Sequence, residues 1–79
     1  MAKSQFAIIY RKVPSFLRQL REAAGLTQRE FARKIGKSQS WVYKSESGMR
    51  RVDIAEFLEW CVGCGVVPVE AFARLVRAR

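Results

Sequence analysis

The stretch TQREFARKIGKSQSWVYKSESG, residues 27–48, reads as two short helices joined by a tight turn. Thr27 carries a side-chain oxygen suited to a helix N-terminus, and Glu30 three residues later completes a capping box. Phe31, Ala32 and Ile35 then share one helical face, and Gly36 supplies the left-handed backbone that ends the element. Ser38 repeats the capping chemistry for a second helix, which runs to about Ser47 and stops at Gly48. With Val42 facing the core and about 100° per residue, Ser38, Ser45 and Glu46 fall near the buried side. Ser40, Tyr43, Lys44 and Ser47 then point outward, and Gln39 lies at the edge, close to the helix N-terminus.

Three further helices are predicted around this pair. The first runs from about Pro14 to Ala24, with Pro14 near its first turn and Gly25 as terminator. Phe16, Leu17, Leu20 and Ala24 form its inner stripe, and Arg18, Arg21 and Glu22 face out. The fourth opens at Asp53, with Glu56 in the capping-box position and Gly65 at its end. Its apolar face is Ile54, Phe57, Leu58, Cys61 and Cys64. The last starts at Pro68 and buries Val69, Phe72 and Val76. Five helices with short connections make a compact all-α domain. The organisation read from the chain is an N-terminal apolar and basic arm or helix extension over residues 1–13, then a folded domain over 14–79. Phe6 to Tyr10 (FAIIY) either extends the first helix backward, packs as an arm on the core, or crosses to a partner subunit. Pro14 argues against one uninterrupted helix through both parts.

A chain of 79 residues holds one domain, and 49% apolar residues allow it to fold. No apolar run approaches the roughly 20 residues needed to span a bilayer, and no signal-peptide core is present. The expected location is the cytoplasm, with no membrane partner. Charge is unevenly spread. Residues 1–51 hold 12 Lys and Arg against Glu22, Glu30 and Glu46, whereas residues 52–79 hold three Arg against Asp53, Glu56, Glu59 and Glu70. All of the net +8 therefore belongs to the part that carries the helix pair. A basic face of this kind attracts a phosphate backbone through counterion release, without regard to sequence.

A helix, a Gly-containing turn and a second helix form the helix-turn-helix pattern, which lays its second helix in the major groove of DNA. On that helix Gln39 can pair in bidentate fashion with adenine, and Lys44 can donate to guanine O6 and N7. Each good contact is worth roughly 1–3 kcal/mol of discrimination. Ser40 and Tyr43 complete the expected base-reading set, Tyr43 against a thymine methyl or a phosphate. Arg50 and Arg51 follow in a loop beside the same helix, and Lys37, Arg29, Arg11 and Lys12 are further candidates for the backbone. Such contacts give affinity and register but carry no direct sequence information.

The order LRQLREAAGLTQREFARKIGKSQSWVYKSESG, then RRVDIAEFLEW and GVVPVEAF, resembles the Cro/phage-repressor (XRE-like) family of helix-turn-helix transcriptional regulators over about residues 14–77. The specific parts are the GLTQ entry, the spacing from Gln28 to Gln39, and the S-x-S-x-V-x-K-x-E-x-G pattern from Ser38 to Gly48. The resemblance implies a five-helix, lambda-repressor-like fold and a dimer whose recognition helices meet successive major grooves about 34–36 Å apart. It implies that Gln28 holds a phosphate and that Gln39, Ser40 and Lys44 meet base edges. Ser38 and Ser47, at the two ends of the recognition helix, join the backbone contacts. It also implies a structural role for Glu46. Ser45 departs from the family, whose members place a large apolar residue there, and a neighbour such as Trp41 is expected to fill the space. Trp60, Val66, Val67, Phe72, Leu75 and Val76 are candidates for the dimer interface or for the core.

Trp60-Cys61-Val62-Gly63-Cys64 has the look of a thioredoxin-type redox motif, but that motif needs an exposed thiol at a helix N-terminus. Here the pair falls late in a helix and is expected to pack as a small hydrophobic couple. With no His in the chain, two thiolates cannot complete a zinc site without a second subunit. No catalytic constellation, metal, cofactor or small-molecule ligand is expected. The leading reading is a DNA-binding regulator, a repressor on a palindromic operator. An antitoxin or other partner-binding protein with the same fold is the alternative, and a thiol switch is a third.

Overall fold

The structure, a computed structural model, describes the chain path over residues 2–78 and side chains over residues 9–78. The described residues form five helices: α1 (Ala2–Ala23), α2 (Gln28–Ile35), α3 (Gln39–Ser47), α4 (Ile54–Cys64) and α5 (Pro68–Arg77). Local chemistry sets most of their ends. Thr27 and Glu30 close a reciprocal capping box on α2, Asp53 and Glu56 do the same on α4, and the Ser38 hydroxyl accepts the Trp41 N–H on α3. Gly36 and Gly48 end α2 and α3 at φ 72 and 81, the left-handed region that other residues enter only with strain.

The expectation that the first helix begins near Pro14 is corrected. α1 is continuous through Pro14, which removes one intrahelical hydrogen bond at a cost of about 3 kcal/mol. Contacts to distant segments offset that loss. The Tyr10 hydroxyl accepts the Val52 N–H at 2.8 Å, and Lys12 Nζ donates to the Ala78 carbonyl at 2.9 Å, so the segment before Pro14 is tied to both the α3–α4 loop and the end of α5. The interpretation of FAIIY as a backward helix extension matches this path; the side chains of residues 6–8 lie outside the described residues.

Phe16, Leu17 and Leu20 of α1 meet Phe31 and Ala32 of α2, Val42 of α3, Phe57, Trp60 and Cys61 of α4, and Ala71 and Leu75 of α5. Trp60 is the centre. Its ring lies 4.7 Å from Phe31, and its indole N–H donates to the Leu17 carbonyl at 3.0 Å, which satisfies the one polar atom such burial strands. The faces of α4 and α5 are rotated from their predicted positions, while α1 keeps Phe16, Leu17 and Leu20 inward and differs only at its edges. On α1, Arg21 is buried rather than outward, and Ala24 lies past the helix end, exposed. On α4, Ile54 and Leu58 are exposed, because the larger Trp60 takes the inner face with Phe57 and Cys61. On α5, Ala71 and Leu75 are buried, whereas Val69, Phe72 and Val76 are exposed. Helix α5 is apolar on two adjacent stripes, and only the pairing of a small Ala71 with Leu75 fits the space against α1 and α4.

Candidate nucleic-acid interface

Helix α3 has nine residues and is too short to hold its shape alone. Its inner face is held by Val42, Ser45 and Glu46, all buried. Glu46 forms the strongest of these ties. Its carboxylate accepts a bidentate pair from Arg21, Nε at 2.6 Å and Nη2 at 3.0 Å, and a third bond from the Gln28 side-chain amide at 3.0 Å. Arg21 also donates to the Leu26 carbonyl at 2.7 Å. The hydrogen bond that Arg21 donates to Glu46 holds the Arg21 pKa above its ordinary value despite desolvation. One carboxylate thereby ties α1, α2 and α3 together.

The other inward polar group is Ser45. Its hydroxyl donates to the Trp41 carbonyl at 2.8 Å and accepts from Arg50 Nη1 at 3.3 Å. The Arg50 guanidinium lies 4.5 Å from the Trp41 ring centre and donates to Glu56 at 3.0 Å. Arg50 and then the backbone N–H of Asp53 hold the Glu56 carboxyl below its ordinary pKa. The Trp41 ring itself lies 6.0 Å from Trp60. A small polar residue at position 45 is therefore satisfied by hydrogen bonds, with Trp41 and Arg50 occupying the surroundings. Lys37 lies over the other part of this cluster, 5.1 Å from the Trp41 ring and 4.0 Å from Glu59.

With the inner face tied, Gln39, Ser40, Tyr43, Lys44 and Ser47 all lie on the exposed side of α3. The four expected base readers are thus brought together on one short helix. Among the expected backbone contacts, Arg29, Ser38 and Ser47 are exposed, and Gln28 is half-buried beside Glu46. Arg51 is exposed, with its guanidinium 4.4 Å from the Tyr10 ring centre. Arg50 is drawn instead into the Trp41–Ser45–Glu56 cluster. Arg11 is exposed, while Lys12 is occupied at the end of α5. Two contributors escaped sequence reasoning: the Arg21–Glu46–Gln28 bond set and the Tyr10 seat beneath Arg51. An acidic residue at a buried angle of α3, in a segment otherwise basic, was the available signal for the first.

Cys61 is buried and Cys64 half-buried, both as free thiols. Burial pushes both thiol pKa values up, Cys64 to about 11. That environment is the reverse of an activated redox cysteine. No helix among the described residues is long and apolar enough to cross a membrane.

Comparison with known proteins agrees with this geometry. A family model described as a helix-turn-helix domain matches residues 15–78. Among solved structures, an XRE-family like protein from Pseudomonas syringae pv. tomato str. DC3000 is similar at a TM-score of 0.86 and 36% identity, over 95% of this chain and 92% of that one. No curated protein matches the chain.

Proposed function

We propose that this chain, which belongs to the XRE-type family of helix-turn-helix proteins, is a sequence-specific regulator that binds double-stranded DNA as a homodimer. It acts as a repressor by occupying a palindromic operator, with α3 in the major groove of each half-site. The DNA-reading unit is residues 14–79, and the part of α1 before Pro14 extends it. The observation that carries this reading is the division of α3 into two faces. One is bonded to the rest of the domain through Glu46 and Ser45, and the other presents Gln39, Ser40, Tyr43 and Lys44 together. Gln39 reads adenine, Lys44 reads guanine, and Ser40 and Tyr43 complete the contacts to base edges and a thymine methyl. Gln28, Arg29, Lys37, Ser38, Ser47 and Arg51 hold phosphates on either side, with Arg50 contributing least because Glu56 already neutralises it.

The test is a binding titration on a randomised DNA pool at near-physiological salt, with sequencing of the bound fraction for wild type and for Gln39→Ala/Lys44→Ala. An enriched inverted repeat that the double variant loses is the expected result. Weak, salt-sensitive binding with no enriched sequence overturns the reading. It would favour the second one, a partner-binding protein such as an antitoxin, which the exposed apolar residues of α4 and α5 support.

A further inference from the structure

The loop between α3 and α4 carries Arg51, the exposed arginine that the reading above sets on a DNA phosphate. The two ends of this loop are held locally. Met49 N–H donates to the Lys44 carbonyl at 2.9 Å, and Asp53 N–H donates to the Glu56 carboxylate at 2.9 Å. Its middle is held from far away in sequence, by α1. The Tyr10 hydroxyl accepts the Val52 N–H at 2.8 Å, and the Arg51 guanidinium lies over the Tyr10 ring, 4.4 Å from its centre. Tyr10 stands one turn before Pro14 on the same helical face, and Pro14 Cγ lies 3.6 Å from where a Cβ on Gly48 would stand. Helix α1 therefore runs along the loop from Gly48 to Val52.

We propose that Tyr10 is a positioning residue for DNA binding, which holds Arg51 in the orientation in which it meets a phosphate. The proposal rests on the DNA-binding reading above and deepens it. Of the two loop arginines, Arg50 already donates to Glu56 and Ser45 and lies against Trp41. Arg51 is engaged only through its flat face. A guanidinium held over an aromatic ring keeps N–H groups at its rim that can still donate to a phosphate. An unanchored arginine gives up rotamer freedom on meeting its acceptor, and one already held over a ring gives up less.

The Tyr10 ring is itself well placed to act as an anchor. It is half-buried, and with Val13, Val52, Phe57 and Leu75 it lines one hollow at the edge of the core. Its hydroxyl fixes the backbone of Val52 while its face holds the side chain of Arg51, so the two ties act on neighbouring residues of one loop. The part of α1 before Pro14 thereby reaches the DNA-binding surface without touching DNA.

The experiment is fluorescence anisotropy of a labelled random-sequence DNA duplex titrated at low salt with the full chain. Wild type is compared with Tyr10→Leu, Tyr10→Phe, Arg51→Ala, Arg51→Lys and Tyr10→Leu/Arg51→Ala, and urea unfolding checks that each is folded. A random duplex suffices because a phosphate contact carries no direct sequence information. Tyr10→Leu should weaken binding roughly two- to tenfold, and Tyr10→Phe, which keeps the ring, should recover most of that loss. In the Arg51→Ala background the loss from Tyr10→Leu should disappear, because the side chain that Tyr10 orients is gone. A role confined to the fold would leave that loss intact, so equal weakening with and without Arg51 overturns the proposal. A Tyr10→Phe variant as weak as Tyr10→Leu overturns it too, as does a Tyr10→Leu variant that binds like wild type. Arg51→Lys keeps the charge at an exposed site but not the planar fork, and it should also weaken binding. Unchanged affinity there overturns the proposal even if Tyr10→Leu does not fold. A wild type that fails to bind the duplex overturns the DNA reading and this proposal together. Coupling between Tyr10 and Arg51, in a protein with no sequence preference in the DNA pool, upholds Tyr10 while the sequence-specific reading fails.

Discussion

Glu46 ties the stability of the domain to the placement of Gln28. Its side chain is 3% exposed and that of Arg21 9%, so truncating either leaves a charge stranded away from water. Such a break costs about 3–5 kcal/mol. A domain of 79 residues has about 4–12 kcal/mol of total stability, so Glu46→Ala should lower Tm by at least about 12 °C or leave the chain unfolded. Arg21→Ala should cost a similar amount. Replacing both partners with apolar residues, Arg21→Met/Glu46→Leu, removes the stranded charge as well as the bond and is expected to lie within about 1–2 kcal/mol of wild type. Urea unfolding followed by tryptophan fluorescence reads all three, since Trp60 sits in the core. The double variant is expected to keep its fold, yet in it Gln28 loses the acceptor that holds its amide. One such hydrogen bond is worth about 0.5–1.5 kcal/mol, so operator affinity should remain roughly two- to tenfold below wild type. A double variant as unstable as the sum of the singles would refute the coupling. One that binds DNA at wild-type strength would refute the positioning of Gln28.

Other perturbations probe the rest of the framework. Gly63→Ala would place a Cβ 2.6 Å from Ile35 Cγ2 and 2.9 Å from Phe31 Cε1, so overpacking of about 1–3 kcal/mol should outweigh the gain of about 1 kcal/mol in helix propensity; a raised Tm would show that α2 and α4 can part without cost. Arg51→Ala should weaken operator and random DNA alike and reduce the salt slope by about 1, and a changed sequence preference in the bound pool would contradict a phosphate role. The Glu56 carboxyl, held below its ordinary pKa by Arg50, contributes stability that is present above that ordinary value and lost as pH falls through the lowered one. Glu56→Gln should therefore flatten the acid limb of the stability curve, measured by urea midpoints across pH. The Cys64 thiol, pushed up to about 11, contributes stability below the ordinary thiol pKa that is lost as pH rises through about 11. Labelling by a thiol reagent near neutral pH should be slow in the native state, and fast labelling would reopen a redox role.

The elements that local chemistry decides were legible in the chain. Both capping boxes, the Ser38 cap and the glycine stops follow from residues within three or four positions of one another, and each is present. The inner and outer faces of α3 were legible too, because Val42, the one aliphatic residue of the helix, fixes its phase between Trp41 and Tyr43. What escaped depends on partners distant in sequence. Arg21 reads as a surface charge until Glu46, 25 residues on, comes within bonding distance. Pro14 reads as a helix start until Tyr10 and Lys12 find Val52 and Ala78. Helices α4 and α5 carry more apolar residues than one core face can hold, so periodicity alone cannot say which stripe turns inward. The placement of Trp60 and Leu75 in the core, and of Ile54, Val69 and Val76 outside it, is a tertiary outcome.

The exposed apolar surplus on α4 and α5 lies apart from the groups that hold α3 in place. A recognition helix of nine residues discriminates bases only if its angle is fixed, and a few kcal/mol of base contacts cannot also supply the energy that fixes it. In this chain that energy comes from the inner side of α3, through Val42, the Glu46 bonds to α1 and α2, and the Ser45 and Arg50 cluster. None of those groups belongs to the α4–α5 stripes, and none is among the four side chains proposed to read bases. Substitutions on the outer face of α3 should therefore change which sequence is bound with little loss of fold. Substitutions beneath it should lower affinity for every sequence together, because they release the angle at which the whole row meets the groove.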